Sequence, residues 1–388
     1  MMRPRDEDQG NAAPSIRRVV AMNQQFEFRL VEEESDAAAL HRRRAIHAGA
    51  LPAVIDVEPV SGSARPRSRA VKAQPSLLPR DVVAADAFRI TLLQCKWHIT
   101  ANVPVVVDAR DAEGLHQLRV SLRRLRVALS SFGGEFRAPE LEAVRLRAKS
   151  IGSRLAPARD LDVFTQDLLE PAASANGAKD AFAVLRARAE TARREAWNDT
   201  VAQIGGAGFR IFLRDIDEAI DRRLWSRTAM SGGHATTDIA AFDAPALALA
   251  DRMLAYRQRS ARKRARCLDV LSVAQRHKLR IALKKLRYAA EFFAPFYEKS
   301  RVEKFLSRLG AMQDVLGALN DVAVAHNTLE KLVAEPVEGS FAAQAELNFA
   351  AGIVYGWHLE RASRTWEDAV KRWKKFSRTT EFWSTSAA

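Results

Sequence analysis

Gly114-Leu115-His116-Gln117-Leu118-Arg119-Val120-Ser121-Leu122-Arg123-Arg124-Leu125-Arg126 decides the fold, because the chain returns to it as His277-Lys278-Leu279-Arg280-Ile281-Ala282-Leu283-Lys284-Lys285-Leu286-Arg287. On a helix, at about 100° per residue, His116, Arg119, Arg123 and Arg126 fall within roughly 80° of one another. His277, Arg280, Lys284 and Arg287 do the same in the second copy. Leu118, Leu122, Leu125 and Leu129 fill the neighbouring arc, as do Leu279, Leu283 and Leu286. Each copy is therefore a helix with an apolar stripe for the core and a cationic stripe beside it. Like charges one turn apart repel, and neither copy places an acid between its histidine and its last arginine. A duplicated arrangement that costs free energy points to an extended anion of regularly spaced charge.

The rest of the 388-residue chain fits such a partner. Net charge is +14 and the pI about 10.1, a balance that suits nucleic acid, anionic lipid or a free polyanion. The apolar fraction, 47%, is ample for a core. Two cysteines, Cys95 and Cys267, support neither a disulfide framework nor a thiolate metal site. Neither an apolar run of about 18 residues nor a signal peptide is visible, so the expectation is a soluble, cytoplasmic protein without membrane contact. Met22 is a plausible alternative start.

Before residue 81 the pattern is mixed. Residues 1–21 look disordered, Gln25–Leu30 alternates like a short strand, Ser35 or Asp36 can cap a short helix through His47, and Leu51–Val60 has strand character. Residues 61–80 make a linker. Helices are then predicted near 81–101, 112–132, 138–155, 160–169, 178–203, 208–226, 244–268, 274–297, 300–333 and 340–376, with a Gly/His/Thr loop at 231–243. At the offset that superposes the two histidines, Phe132 meets Phe293, Arg147 meets Arg308, Leu155 meets Leu316 and Asp160 meets Asp321. The expected fold is all-α, with two four-helix bundles related by a pseudo-twofold axis. Their limits are 81–230 and 244–380, inside a helical domain at 81–388 that follows a tail and linker at 1–80.

These segments, with Ala158-Arg159-Asp160-Leu161-Asp162-Val163 and Leu319-Asn320-Asp321, resemble the CHAD family, the helical domain named for its histidines, from roughly Pro79 to Trp383. The resemblance implies a non-catalytic module that binds inorganic polyphosphate, needs no cofactor or metal, and is found with polyphosphate granules. The N-terminal stretch is similar to the opening of a CYTH domain, a triphosphate-tunnel fold. Gln25, Glu27 and Arg29 stand at the positions of its metal-binding strand, so one carboxylate is missing. The stretch is also too short for a closed tunnel of eight strands, and a degenerate remnant is the expectation.

Arg119, Arg123, Arg126, Arg280, Lys284 and Arg287 are the expected phosphate ligands, Arg as a planar fork and Lys as a point charge. Arg124 and Lys285 sit about 80° away around the helix and join them as candidates. Further charge could come from Arg147, Arg308, Arg193, Arg194, Arg259, Arg262, Lys263 and Arg266. Their competing role is solvated helix charge. His116 and His277 are either proton-linked phosphate donors or side chains bonded to a neighbouring helix. Asp160 and Asp321 are expected to cap helix N-termini, the alternative being to orient an arginine. RNA or DNA on the same surface is the second function, although the basic motifs lack aromatic platforms. Phosphoryl transfer is the third, and would need metal-binding carboxylates facing the cleft. If the histidines carry the charge switch, affinity for the anion should rise between about pH 8 and about pH 6.

Overall fold

Two stripes of leucine set the frame. In the computed structural model, which describes residues 69–132, 138–176, 182–227, 243–337 and 340–383, Leu115, Leu118, Leu122 and Leu125 are buried on one helix and Leu279, Leu283 and Leu286 on another. All described residues fall within one compact unit, Pro66–Ala388. Among them the protein is helical, with no strand and one isolated bridge, Val83 to Pro245. The expected strands at 25–30 and 51–60, the helix ending at His47, the CYTH-like opening and nearly all of the 231–243 loop lie outside the described residues.

The first repeat contains α1 (Ala84–Val107), α2 (Ala112–Phe132), α3 (Pro139–Arg154) and α4 (Ala156–Val163). A π-helical turn, Phe164–Leu169, joins α4 to α5 (Glu170–Asn176). Then follow α6 (Ala183–Gly205), α7 (Ala207–Asp221) and the short α8 (Leu224–Arg227). The second repeat is α9 (Ala246–Arg264), α10 (Val273–Phe293), α11 (Lys299–Val333) and α12 (Phe341–Ser377). Both motif helices start on side-chain caps at equivalent positions. Asp111 Oδ1 accepts from Gly114 N at 2.6 Å, and Ser272 forms a capping box with Gln275, which satisfies orphan amides just ahead of each histidine.

The repeats share helices but not breaks. Pro157 opens α4, where its missing N–H costs nothing, and Gly206 separates α6 from α7. The residue matching Pro157 is Ala318, and α11 runs straight through it. α12 is likewise continuous for 37 residues. α2 packs on α1 and α3, α7 packs on α1 and α3, α9 packs on α10, and α10 packs on α11. The distal segments meet in a common core: Phe164, Leu169, Phe182 and Leu185 of the first repeat bury against Leu329, Leu347 and Val354 of the second. The halves are thus joined by a bundle to which both contribute.

Several boundaries differ from expectation. α1 runs past residue 101 to Val107, with Pro104 in its last turns. The helix expected from 160 begins at Ala156, because Pro157 belongs to its first turn. It also continues beyond 169, Pro171 being accepted at the second position of α5.

Gly114 of α2 lies tight against α1: an added Cβ would stand 2.5 Å from Val105 Cγ1. Gly114→Ala should therefore destabilise the protein by about 1–3 kcal/mol in urea unfolding. Gly317→Ala in α11, where an added Cβ meets nothing within 4 Å, should instead stabilise it by about 0.5–1 kcal/mol.

Candidate functional site

α2 and α10 pack against each other, and their leucine stripes turn the cationic stripes toward one another. Phe132 and Phe293, at the ends of the two helices, touch with centroids 5.7 Å apart. Around the crossing, Lys284 lies in the field of Arg123, Arg280 and Arg119, and His116 in that of Arg159, Arg123 and Lys284. Side chains from both repeats therefore share one track, running from Arg159 and His116 past Arg119, Lys284, Arg280 and Arg123 to Arg126 and Lys285.

The track is cationic and partly dry. The Nε atoms of Arg123, Arg126 and Arg280 are buried without a hydrogen-bond acceptor, and an unmet buried donor of this kind costs about 1–3 kcal/mol. Burial, reinforced by Arg123 and Arg280, pushes Lys284 down to about 7. Burial, then Arg159, pulls His116 down to about 4. His116 is thus uncharged between pH 6 and 8, and the lysine, not this histidine, changes charge near neutrality. His277 is exposed, with Nδ1 3.3 Å from Asn320 Oδ1.

Asp160 and Asp321 do not cap helices. Asp160 lies inside α4 and Asp321 in the middle of α11. Asp160 pairs with Arg119 at 3.5 Å, while Arg119 Nη1 donates to the Ala156 carbonyl at 3.1 Å. Asp321 stands in the field of Arg280 and Lys284. Both carboxyls are shifted upward by burial, against the pull of these cations. The ion pair of Asp160 with Arg119 matches the alternative role of orienting an arginine.

Several sequence candidates have their charge engaged elsewhere. Arg124 is buried, pairs with Glu291, and lies 4.8 Å over the Phe292 ring. Arg287 reaches the same Glu291 through Nε at 2.8 Å and donates to Gln313 Oε1 at 3.3 Å. Glu291 thereby ties the two cationic helices together. Arg193 donates to the buried Asp162 at 2.7 Å, Arg147 pairs with Asp215, and Arg308 donates to Thr379 Oγ1 at 2.9 Å. Arg194 bonds Thr191 within its own helix, and Arg262 pairs with Glu381 at 3.2 Å. Arg259, Lys263 and Arg266 are exposed.

Two cations escaped the motif reading. Arg159 bears on His116 and Arg119, and its place beside Asp160 in the repeated segment was the available signal. Arg145, paired with Glu142, bears on Arg126 and Lys285 from α3, and no periodicity in α2 or α10 could find it. Among the described residues, no group of three or more His, Cys, Asp or Glu side chains is placed to hold a metal ion. No described helix is long and apolar enough to cross a membrane.

The CHAD domain profile matches residues 91–330. The crystal structure of the CHAD domain from the plant Ricinus communis superposes with a TM-score of 0.66 at 25% identity, over 80% of this chain and 98% of that one. PptA from Streptomyces chartreusis superposes with a TM-score of 0.57 at 17% identity, over 76% of this chain and all of that one, a likeness of fold. No curated protein matches in sequence.

Lys284 ties the site to stability. Its folded value near 7 lies below the ordinary 10.5, so between these values the unfolded chain binds more protons and stability rises with pH, by at most about 1.4 kcal/mol per pH unit. Lys284→Met should raise the neutral-pH stability of the free protein and flatten this rise, as read by urea unfolding at pH 7 and about 9.5.

Proposed function

Because the chain belongs to the CHAD domain family, we propose that the track between α2 and α10 binds inorganic polyphosphate without catalysing its breakdown. The observation that carries this reading is the enclosure of Lys284 by Arg123, Arg280 and Arg119 from both repeats, beside guanidinium donors that have no acceptor within the protein. A free protein gains nothing from such an arrangement. A linear polyanion repays it, because each phosphoryl unit supplies both countercharge and acceptors.

Arg119, Arg123, Arg126, Arg280, Lys284 and Lys285 are the proposed ligands, with Arg159 and His116 at one end and His277 at the rim. Asp160 holds Arg119 in place, and Asp321 lends countercharge to Arg280 and Lys284. Arg124 and Arg287 support the site through Glu291 instead of donating to the anion. Bound phosphate restores the charge of Lys284, so binding takes up a proton. Affinity then falls as pH rises from about 7 toward 9, with the lysine as its cause.

Counterion release should dominate the affinity. Contact with roughly 6–8 phosphates gives a log–log salt slope of about −4 to −6 on a single-strand scale. RNA or DNA would meet the same charge without aromatic platforms in the track, so polyphosphate should displace nucleic acid at far lower phosphate concentration than the reverse. Changing Arg123→Glu together with Lys284→Glu should abolish binding of long-chain polyphosphate while leaving the circular dichroism of the helices unchanged. Retained binding by that double variant would assign the anion to another surface, and phosphate release with Mg²⁺ or Mn²⁺ would make the protein an enzyme.

A further inference from the structure

A recess opens between α9 and α10, beyond the Arg126 end of the track. Its walls include Arg257, Arg264, Lys278 and Lys285, together with Ser260 and Tyr256, and no carboxylate lines it. Its cavity volume is about 100 Å³, and it is open to solvent. Arg257 is anchored by Nη2, which donates to Ser130 Oγ at 3.1 Å and Ser131 Oγ at 3.2 Å, while its Nε is buried without an acceptor. Lys285 faces both ways: burial depresses it first, then Arg257 and Arg264 on the recess side and Arg126 and Arg145 on the track side. The recess is therefore an electrostatic continuation of the track.

The repeat supplies a comparison within the same molecule. At the offset that relates the histidines, Lys278 corresponds to Gln117, Ala282 to Ser121, Lys285 to Arg124 and Tyr256 to Cys95. All four first-repeat residues are buried. The chain itself seals that side of α1. Val71 donates to Asn102 Oδ1 at 2.9 Å, its carbonyl lies 3.0 Å from His98 Nε2, and Gln94 donates to the Pro75 carbonyl at 3.2 Å. Among the described residues the second-repeat recess has no such cover, and the cations Lys278 and Arg264 stand where its counterpart carries Gln117 and Val103. The fold does not need charge at Lys278 or Arg264, since the first repeat forms with neutral residues at both positions.

We propose that the α9–α10 recess is a second phosphoryl-binding site, in which a polyphosphate strand running past Arg126 places its next units against Lys285, Arg257, Arg264 and Lys278. The inference rests on the reading of the track as a polyphosphate site and adds a direction to it. The strand leaves between Arg126 and Lys285, and chains too short to reach that end gain nothing from the recess.

Lys278→Gln with Arg264→Gln tests this, since both residues are exposed on the recess and neither belongs to the track. Binding of tripolyphosphate and of long-chain polyphosphate is measured by calorimetry at several salt concentrations, in the full chain. Lys304→Gln with Arg214→Gln, two exposed cations outside the recess, serves as the charge-matched control. The expected result is about a tenfold loss for the long chain in the recess variant, a salt slope shallower by about 1.4, and unchanged tripolyphosphate binding. An unchanged long-chain affinity would overturn the inference, as would equal losses for both ligands or an equal loss in the control. Failure of the unsubstituted protein to bind either ligand would instead remove the polyphosphate reading itself.

Discussion

The structure depends on holding two cationic helices face to face. Arg119 and Arg123 on α2 meet Arg280 and Lys284 on α10 in a partly buried crossing, where screening is weak and like charges repel. Three contacts oppose that repulsion. The leucine stripes of both helices are wholly buried, each side chain contributing about 1.5–3 kcal/mol. Phe132 and Phe293 pack together where the two helices end. Glu291 accepts from Arg124 of one helix and Arg287 of the other, and removing such a shared acid would leave two cations unpaired. What repulsion remains is concentrated on Lys284 and on guanidinium nitrogens without acceptors.

Duplication explains how one chain builds such a site. Each repeat brings one capped helix with one charged face, and the packing of α2 on α10 brings side chains of the two faces together. The repeats have since diverged in ways that matter locally. Pro157 and Gly206 break the helices of the first repeat where the second runs unbroken through α11 and α12. Arg126 has an Nε without an acceptor while its counterpart Arg287 is held by Glu291 and Gln313. Arg124 is packed over Phe292 while its counterpart Lys285 faces a cationic recess. The track is therefore symmetric in its helices and asymmetric in its free charge.

Most of the fold was legible because periodicity and caps are local. The leucine positions that face the core, the limits of α2 and the shared register of the repeat follow from spacing alone. The misreadings share one cause, which is that a partner from a distant segment decides the outcome. Asp160 looked like a cap because it follows Pro157, yet that proline already belongs to the first turn of α4, and Arg119 claims the carboxylate. The pairing of Arg124 with Glu291 could not be read from the motif, because Glu291 lies on the other repeat. Arg145 comes from a helix whose facing side no pattern in the motif encodes. The histidine expected to switch charge is too deeply enclosed by cations to protonate near neutrality, and the same enclosure brings Lys284 to that point.

A lysine poised near neutrality is a consequence of the crossing, so it reports on the whole arrangement. The most direct test is a carbon-13 NMR titration of the Lys284 side chain, assigned by comparison with Lys284→Arg, in the free protein and with long-chain polyphosphate. The account predicts a midpoint at about 7 in the free protein and a rise of two or more pH units when the anion is bound. A free-protein midpoint at the ordinary lysine value, or one that polyphosphate leaves unmoved, would contradict it.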